Sequence, residues 1–170
     1  QDYTATILTY IISGTVRLDS TSNPLSGVVM NGLPGNPVTN ASGYYEATVD
    51  CGWSGIVTPT LVRYVFSPAK ISYSNVTSDQ TNQDYSAFPG WIISGAVKTA
   101  GGNAIEDVII SFSNEGGSAS TDSSGNYSQT VKEGWSGTAT PSKSGYTFSP
   151  SSRDYTNVTS DYSNQDYTAQ

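Results

Sequence analysis

The stretch Gln83-Asp84-Tyr85-Ser86-Ala87 recurs as Gln165-Asp166-Tyr167-Thr168-Ala169 and, at the head of the chain, as Gln1-Asp2-Tyr3-Thr4-Ala5, at a constant spacing of 82 residues. A chain of 170 residues with such a period is two copies of one unit. The interior agrees. Ile11-Ile12-Ser13-Gly14 returns as Ile92-Ile93-Ser94-Gly95, and Gly52-Trp53-Ser54-Gly55 as Gly134-Trp135-Ser136-Gly137. Tyr64-Val65-Phe66-Ser67-Pro68 matches Tyr146-Thr147-Phe148-Ser149-Pro150, and Asn75-Val76-Thr77-Ser78-Asp79 matches Asn157-Val158-Thr159-Ser160-Asp161. Register slips only between about residues 17 and 43, which places the length-variable loops there. The first Gln-Asp-Tyr reads as the closing strand of a preceding copy. The expected layout is therefore residues 1–9 as a strand or linker equivalent to the end of a preceding repeat, then repeats over 10–88 and 89–170.

Local patterning says what each unit is. Tyr10 to Leu18 and Trp91 to Thr99 alternate with period two, the signature of a sheet strand. Polar turns at Asp19 to Pro24 and Ala100 to Asn103 follow, then strands around Leu25 to Met30 and Ile105 to Phe112. Asn40 to Tyr45 and Asp122 to Tyr127 are turns with Gly43 and Gly125 at the left-handed position. The runs to Pro59 and Pro141 read as strands stopped by proline, which removes a ladder donor. Shorter strands follow at Tyr64 to Ser67 and Tyr146 to Ser149, and at Lys70 to Val76 and Arg153 to Val158. With the Gln-Asp-Tyr strand this makes about seven strands per unit and no helical period. The predicted fold is all-β: two tandem antiparallel seven-stranded β-sandwiches of transthyretin-like or Ig-like form. Phe88-Pro89-Gly90 is the expected short, stiff linker, with Trp91 packed beside it.

Composition narrows function. Net charge is −7 and neither half carries a basic face, which argues against nucleic acid. Charged residues make only 12% of the chain, and Ser, Thr, Asn and Gln supply the polar surface, as in secreted or surface-displayed domains. No apolar run of membrane-spanning length occurs, so no membrane insertion is expected. Cys51 is the sole cysteine and Glu133 stands at its counterpart, so no internal disulfide framework exists. A buried spectator thiol is the preferred reading.

Histidine is absent, which removes Ser/His/Asp and Cys/His nucleophile systems and His-ligated zinc. The repeated acids, Asp79 with Asp161 and Asp84 with Asp166, sit in a polar turn and on a terminal strand without an evident acid–base partner. No catalytic residue is assigned.

The runs Gly95-Ala96-Val97, Ala104-Ile105-Glu106-Asp107-Val108, Thr121-Asp122-Ser123-Ser124-Gly125-Asn126-Tyr127 and Gly145-Tyr146-Thr147-Phe148 carry a family resemblance. The chain resembles the carboxypeptidase regulatory-like, transthyretin-like β-sandwich repeats of secreted bacterial proteins, related in form to the B-type repeats of surface adhesins. The resemblance covers nearly all of both units. It implies a secreted or cell-surface location and a role as spacer, stalk, adhesive unit or accessory module of a secreted hydrolase. Unit one departs from it at Arg63, where Gly is expected, and in the enlarged loop Gly32 to Pro37.

Two functional readings follow. In the first, the chain is a non-catalytic extracellular structural repeat joined head to tail to neighbouring copies. Gln1, Asp2, Tyr3, Gln165, Asp166 and Tyr167 are its candidate subunit-joining strands, by strand addition. In the alternative, it is a carbohydrate-binding accessory module of a secreted polysaccharide-degrading protein. An indole bounded by Gly and Ser lies flat against a sugar face, which makes Trp53 and Trp135, with Tyr64 and Tyr146, the candidate ligand contacts to a polysaccharide. The same indoles equally plug the end of a sandwich, the preferred reading. No cofactor is expected. Calcium at Asp19, Asp79, Asp122 and Asp161 is implied only by resemblance, and turn chemistry accounts for these residues better. A Lys to Asn cross-link needs a buried lysine in both units, yet Lys70 pairs with Ser152 and Lys98 with Arg17. The Asn-x-Ser/Thr sequons at Asn40, Asn75, Asn126 and Asn157 are read as turn and strand residues.

Overall fold

Alternation establishes the first strand. Along β1 (Thr9–Leu18), Ile12 and Val16 are buried while Ile11 and Arg17 are exposed, the two-residue period of a half-buried strand. The computed structural model describes residues 7–170, and every regular element among them is a strand. The chain divides into two compact units, Gln1–Phe88 and Pro89–Gln170.

Unit one continues with β2 (Val29–Asn31), β3 (Tyr44–Asp50), β4 (Trp53–Thr60), β5 (Tyr64–Ser67), β6 (Ile71–Val76) and the first residues of β7 (Tyr85–Thr99). One sheet runs β5-β7-β1-β3 and the other β2-β4-β6. Their facing sides meet in one core, with Ile12, Val16, Tyr45 and Val49 from the first sheet and Met30, Val57 and Val76 from the second.

Unit two begins inside β7 and adds β8 (Ile109–Phe112), β9 (Gly117–Ser120), β10 (Asn126–Lys132), β11 (Gly137–Ser142), β12 (Phe148–Ser149), β13 (Arg153–Tyr155) and β14 (Tyr167–Ala169). Its sheets run β12-β14-β7-β10 and β13-β11-β8-β9. Ile93, Val97, Tyr127 and Tyr167 face Ile110, Phe112 and Ala139 in its own core.

Three expectations change. The sandwiches are not wholly antiparallel: β7 runs parallel to β1, pairing Val16 with Tyr85 and Leu18 with Ala87, and β14 runs parallel to β7, pairing Tyr167 with Val97. The cause is where the preceding strand ends. Gly52 N–H donates to Val76 O, and Cys51 N–H to Leu8 O, so β6 finishes at the end of the sandwich where β1 starts. A chain crossing there to the first sheet has to rise in the direction of β1.

Pro59 and Pro141 do not stop their strands but lie within β4 and β11. Pro59 sits opposite Met30, whose N–H donates outward to Pro37 O, so the proline nitrogen faces away from β2. It faces the side that β6, last paired at Val57, has already left, where no donor is needed. Finally, Phe88-Pro89-Gly90 is not a linker between strands but extended backbone inside β7.

Candidate functional site

The residues that repeat most faithfully converge on one place in each unit, the slot that receives the closing strand. Gln83 crosses directly over Gly14, where an added Cβ would lie 2.2 Å from Gln83 O. Gly95 meets the backbone of Gln165 in the same way, at 2.5 Å. The Gly of the opening strand is thus needed because another backbone occupies the side-chain space.

Around that crossing the Gln-Asp-Tyr groups divide the work. Gln83 O accepts the Tyr45 hydroxyl at 2.5 Å, and its Oε1 accepts that of Tyr73 at 3.2 Å. Tyr127 and Tyr155 do the same to Gln165, at 2.6 and 3.1 Å. Asp84 Oδ1 accepts the Thr15 N–H at 2.7 Å, and Asp166 Oδ1 that of Ala96 at 2.8 Å. Asp79 and Asp161 cap the N–H of Ile11 and Ile92, each at 2.9 Å. Tyr85 and Tyr167 are buried and donate to Val57 O and Ala139 O across the sandwich. The repeated acids are therefore acceptors for strand N–H groups, placed at the parallel seam where the ladder is incomplete.

Burial pushes these phenols up from their ordinary range. Tyr73 and Tyr155 rise to about 12, and Tyr45, Tyr85, Tyr127 and Tyr167 are also raised. Desolvation of the phenolate is the leading cause in each case. Tyr45 and Tyr127, two residues after Gly43 and Gly125, are the functional pair that sequence reading passed over. Their recurrence at a fixed offset from the turn glycine was the available signal.

The proposed sugar-contact residues are distributed otherwise. Trp135 is 8% exposed, its Nε1–H donates to Ser113 O and Asn114 O, both at 3.1 Å, and its ring lies on Gly137 and Gly116. It presents no face to a sugar, and the candidate contact at Trp135 is corrected to core packing. Trp53 is half-buried, lies over Gly55 and packs 5.8 Å from the Tyr73 ring. Tyr64 is half-buried and Tyr146 is exposed. Trp53 opens β4 and Tyr64 follows its end, so the length of that strand, about 25 Å, separates them. They form no common platform. Trp91 packs against the core of unit two.

Cys51 is exposed rather than buried, because it falls in the turn between β3 and β4. Asp122 and Asn40 are engaged in their own turns, accepting N–H groups of Ser124 and Asn126, and of Ser42 and Tyr44. Among the described residues no three His, Cys, Asp or Glu side chains gather into a metal-binding group. Lys70 and Lys98 are exposed. Gln1, Asp2 and Tyr3 lie outside the described residues, whereas Gln165, Asp166 and Tyr167 are seated in the slot of unit two.

Unit one has an open apolar groove, about 470 Å³ and lined by Val29, Pro59, Leu61, Val62, Tyr64 and Phe66. At the matching place in unit two, Lys143 Nζ donates to Glu106 O.

No protein-family model matches the chain. No curated protein sequence matches it either. Among solved structures it is similar to the Bacillus anthracis TIE protein, at 10% identity and a TM-score of 0.42, over 96% of this chain and 34% of that one. It is also similar to a Streptococcal ancillary pilin, at 11% identity and a TM-score of 0.37, over 95% of this chain and 62% of that one. The shaft pilin SpaA from Lactobacillus rhamnosus GG gives 11% identity and a TM-score of 0.38, over 96% of this chain and 97% of that one. The chain thus spans about a third and under two thirds of the first two proteins. Similarity this loose carries nothing about activity. Among the described residues no helix is long and apolar enough to cross a membrane.

Proposed function

We propose that the chain is a non-catalytic, load-bearing repeat of a secreted or cell-surface protein, a spacer or stalk unit whose task is reach and tensile continuity. One observation carries this reading. In each unit the opening and closing strands are direct neighbours and parallel. Tension enters a unit at the start of its opening strand and leaves at the end of its closing strand. In a parallel pair those points lie at opposite ends of the seam, so the ladder bonds are loaded together in shear instead of one after another. The repeated Gln, Asp and Tyr groups reinforce that same seam. The surface composition and the resemblance to secreted bacterial repeats fit such a role. The burial of Trp135 counts against a sugar-stacking function for that residue.

Single-molecule pulling between the chain ends tests this. Two unfolding events are expected, each releasing about 250–300 Å of contour for some 80 residues, with Asp84→Ala weakening one event only. Featureless extension at low force, or retention of the chain on polysaccharide gels that Tyr146→Ala abolishes, would contradict the reading.

A further inference from the structure

We propose that the two units are graded in mechanical strength, so that unit one shears open before unit two when the chain is stretched, and that Arg153 sets this order. The inference rests on the tension-bearing reading above and adds to it a sequence of yielding.

The two seams share their Gln, Asp and Tyr contacts and differ in what flanks them. Two places before Tyr73 and Tyr155, whose hydroxyls bond the Gln side chains, stand Ile71 in unit one and Arg153 in unit two. Arg153 opens β13, in the sheet opposite the seam, and its Nη2 donates to Asp166 O at 2.7 Å. Its guanidinium carbon lies 5.4 Å from the centre of the Tyr167 ring. Both contacts fall on the closing pentad. When that strand slides along β7 it has to give up a charge-assisted hydrogen bond and a cation–π contact together. Ile71 offers neither and packs on the core of unit one. The Arg153 Nε–H is buried without a partner, a penalty relieved only when water enters after the strand has slid. It therefore reduces the gain in equilibrium stability and leaves the barrier to sliding in place.

The other flank of the closing strand points the same way. It is held by β5 in unit one and by β12 in unit two. The turn into that flank passes through a left-handed residue, Arg63 at φ +67° in unit one and Gly145 at φ +84° in unit two. A residue with a Cβ is strained there and glycine is not. One bond favours unit one, from the Thr15 hydroxyl to Asp84 Oδ1 at 3.0 Å, because Ala96 stands at the matching place. That oxygen already accepts the Thr15 N–H, whereas Arg153 adds a carbonyl and a ring to the contacts of its seam. A chain graded in this way lengthens by one unit under a first load and keeps the second folded.

The order is read by pulling the full chain with a flexible Gly/Ser insert after Gly35, an exposed position where an added Cβ meets nothing within 4 Å. An insert of about twenty residues lengthens the step of unit one by about 70 Å and so labels it. A difference of about tenfold in shearing rate, the size expected of the Arg153 tie, puts the longer step first in about nine of ten traces. Arg153→Ile, which gives unit two the residue of unit one, should speed its shearing about tenfold and leave the order random. Arg153→Lys keeps the charge and gives up the planar fork over Tyr167, and should do the same in smaller measure. Lys143→Leu removes a contact to Glu106 O that involves neither seam strand and should leave the order unchanged. A longer step that comes last, or first in only half the traces, overturns the grading, while two force peaks still uphold the tension-bearing reading. An order that survives both Arg153 variants, or that Lys143→Leu scrambles equally, overturns the role of Arg153. Extension without force peaks overturns both readings.

Discussion

Replacing Gly14 by alanine attacks the seam at its tightest point. The new Cβ would stand 2.2 Å from Gln83 O and 2.5 Å from its carbonyl carbon, both backbone atoms without rotamer freedom. Relief requires Gln83 to lift by about 1 Å, which strains or breaks its N–H bond to Ser13 O, at 3.0 Å, and the Tyr45 hydroxyl bond to its carbonyl, at 2.5 Å. Two hydrogen bonds at about 1 kcal/mol each, with about 1–2 kcal/mol of overpacking, give roughly 3–4 kcal/mol. Reduced freedom of the unfolded chain returns about 0.5–1 kcal/mol, leaving a net loss near 3 kcal/mol. For a unit of this size that lowers the thermal midpoint by about 10–20 °C. The assay is urea and thermal unfolding of the full chain, in which Gly14→Ala should split off an early transition for unit one. Gly101→Ala, with only Thr99 Oγ1 at 3.8 Å, is the matched control and should be neutral. A Gly14→Ala chain within about 0.5 kcal/mol of the parent would refute the crowded-slot argument.

Alkaline pH should weaken both units. The buried phenols stay neutral in the fold while the unfolded chain releases theirs near pH 10, so stability is full below about pH 10 and falls as pH climbs toward the folded values, about 12 for Tyr73 and Tyr155. Each phenol kept protonated contributes a slope of about 1.4 kcal/mol per pH unit, and urea midpoints that stay level from pH 9 to 11.5 would contradict this. Asp84→Ala, which strands the Thr15 N–H, should cost about 1–2 kcal/mol by urea melts, and Asp84→Asn, which keeps an acceptor oxygen, clearly less. Acrylamide should quench Trp53 fluorescence more than that of Trp135, read from single-tryptophan variants in which the other indoles are Phe. Gly145→Ala isolates backbone strain, since φ is +84° and no atom lies within 4 Å of the added Cβ; a loss of about 1 kcal/mol is expected by the same melts.

The duplication, the all-β class and most strand positions were legible because each is a local pattern: period-two alternation in β1, the Gly43 and Gly125 turns, the recurring pentad. The parallel seam was not, because the direction of a closing strand depends on which end of the sandwich β6 reaches, a property of the whole path. Pro59 misled for a related reason. Whether a missing donor matters depends on which neighbour flanks that residue, and β6 has left by then. Recurrence of Trp53 and Trp135 held no information on burial, since an indole repeats for packing and for binding alike. What separates them is Gly116 and the Ser113 and Asn114 carbonyls, which close over Trp135 from the β8–β9 turn.

The seam also explains why the motif carries charge in a chain with so few charged residues. A parallel pair between the first and last strands leaves N–H groups of the opening strand, at Ile11 and Thr15 in unit one, unmatched where the closing strand swings past the glycine. Water would satisfy them at no cost in a static module, but water also admits the first step of strand separation. A carboxylate accepts more strongly than a neutral oxygen and is tied to the strand that has to stay. Asp79 and Asp84 bracket the crossing in unit one, as Asp161 and Asp166 do in unit two. That placement, on the seam between opening and closing strands, is what the proposed load-bearing role asks of these acids.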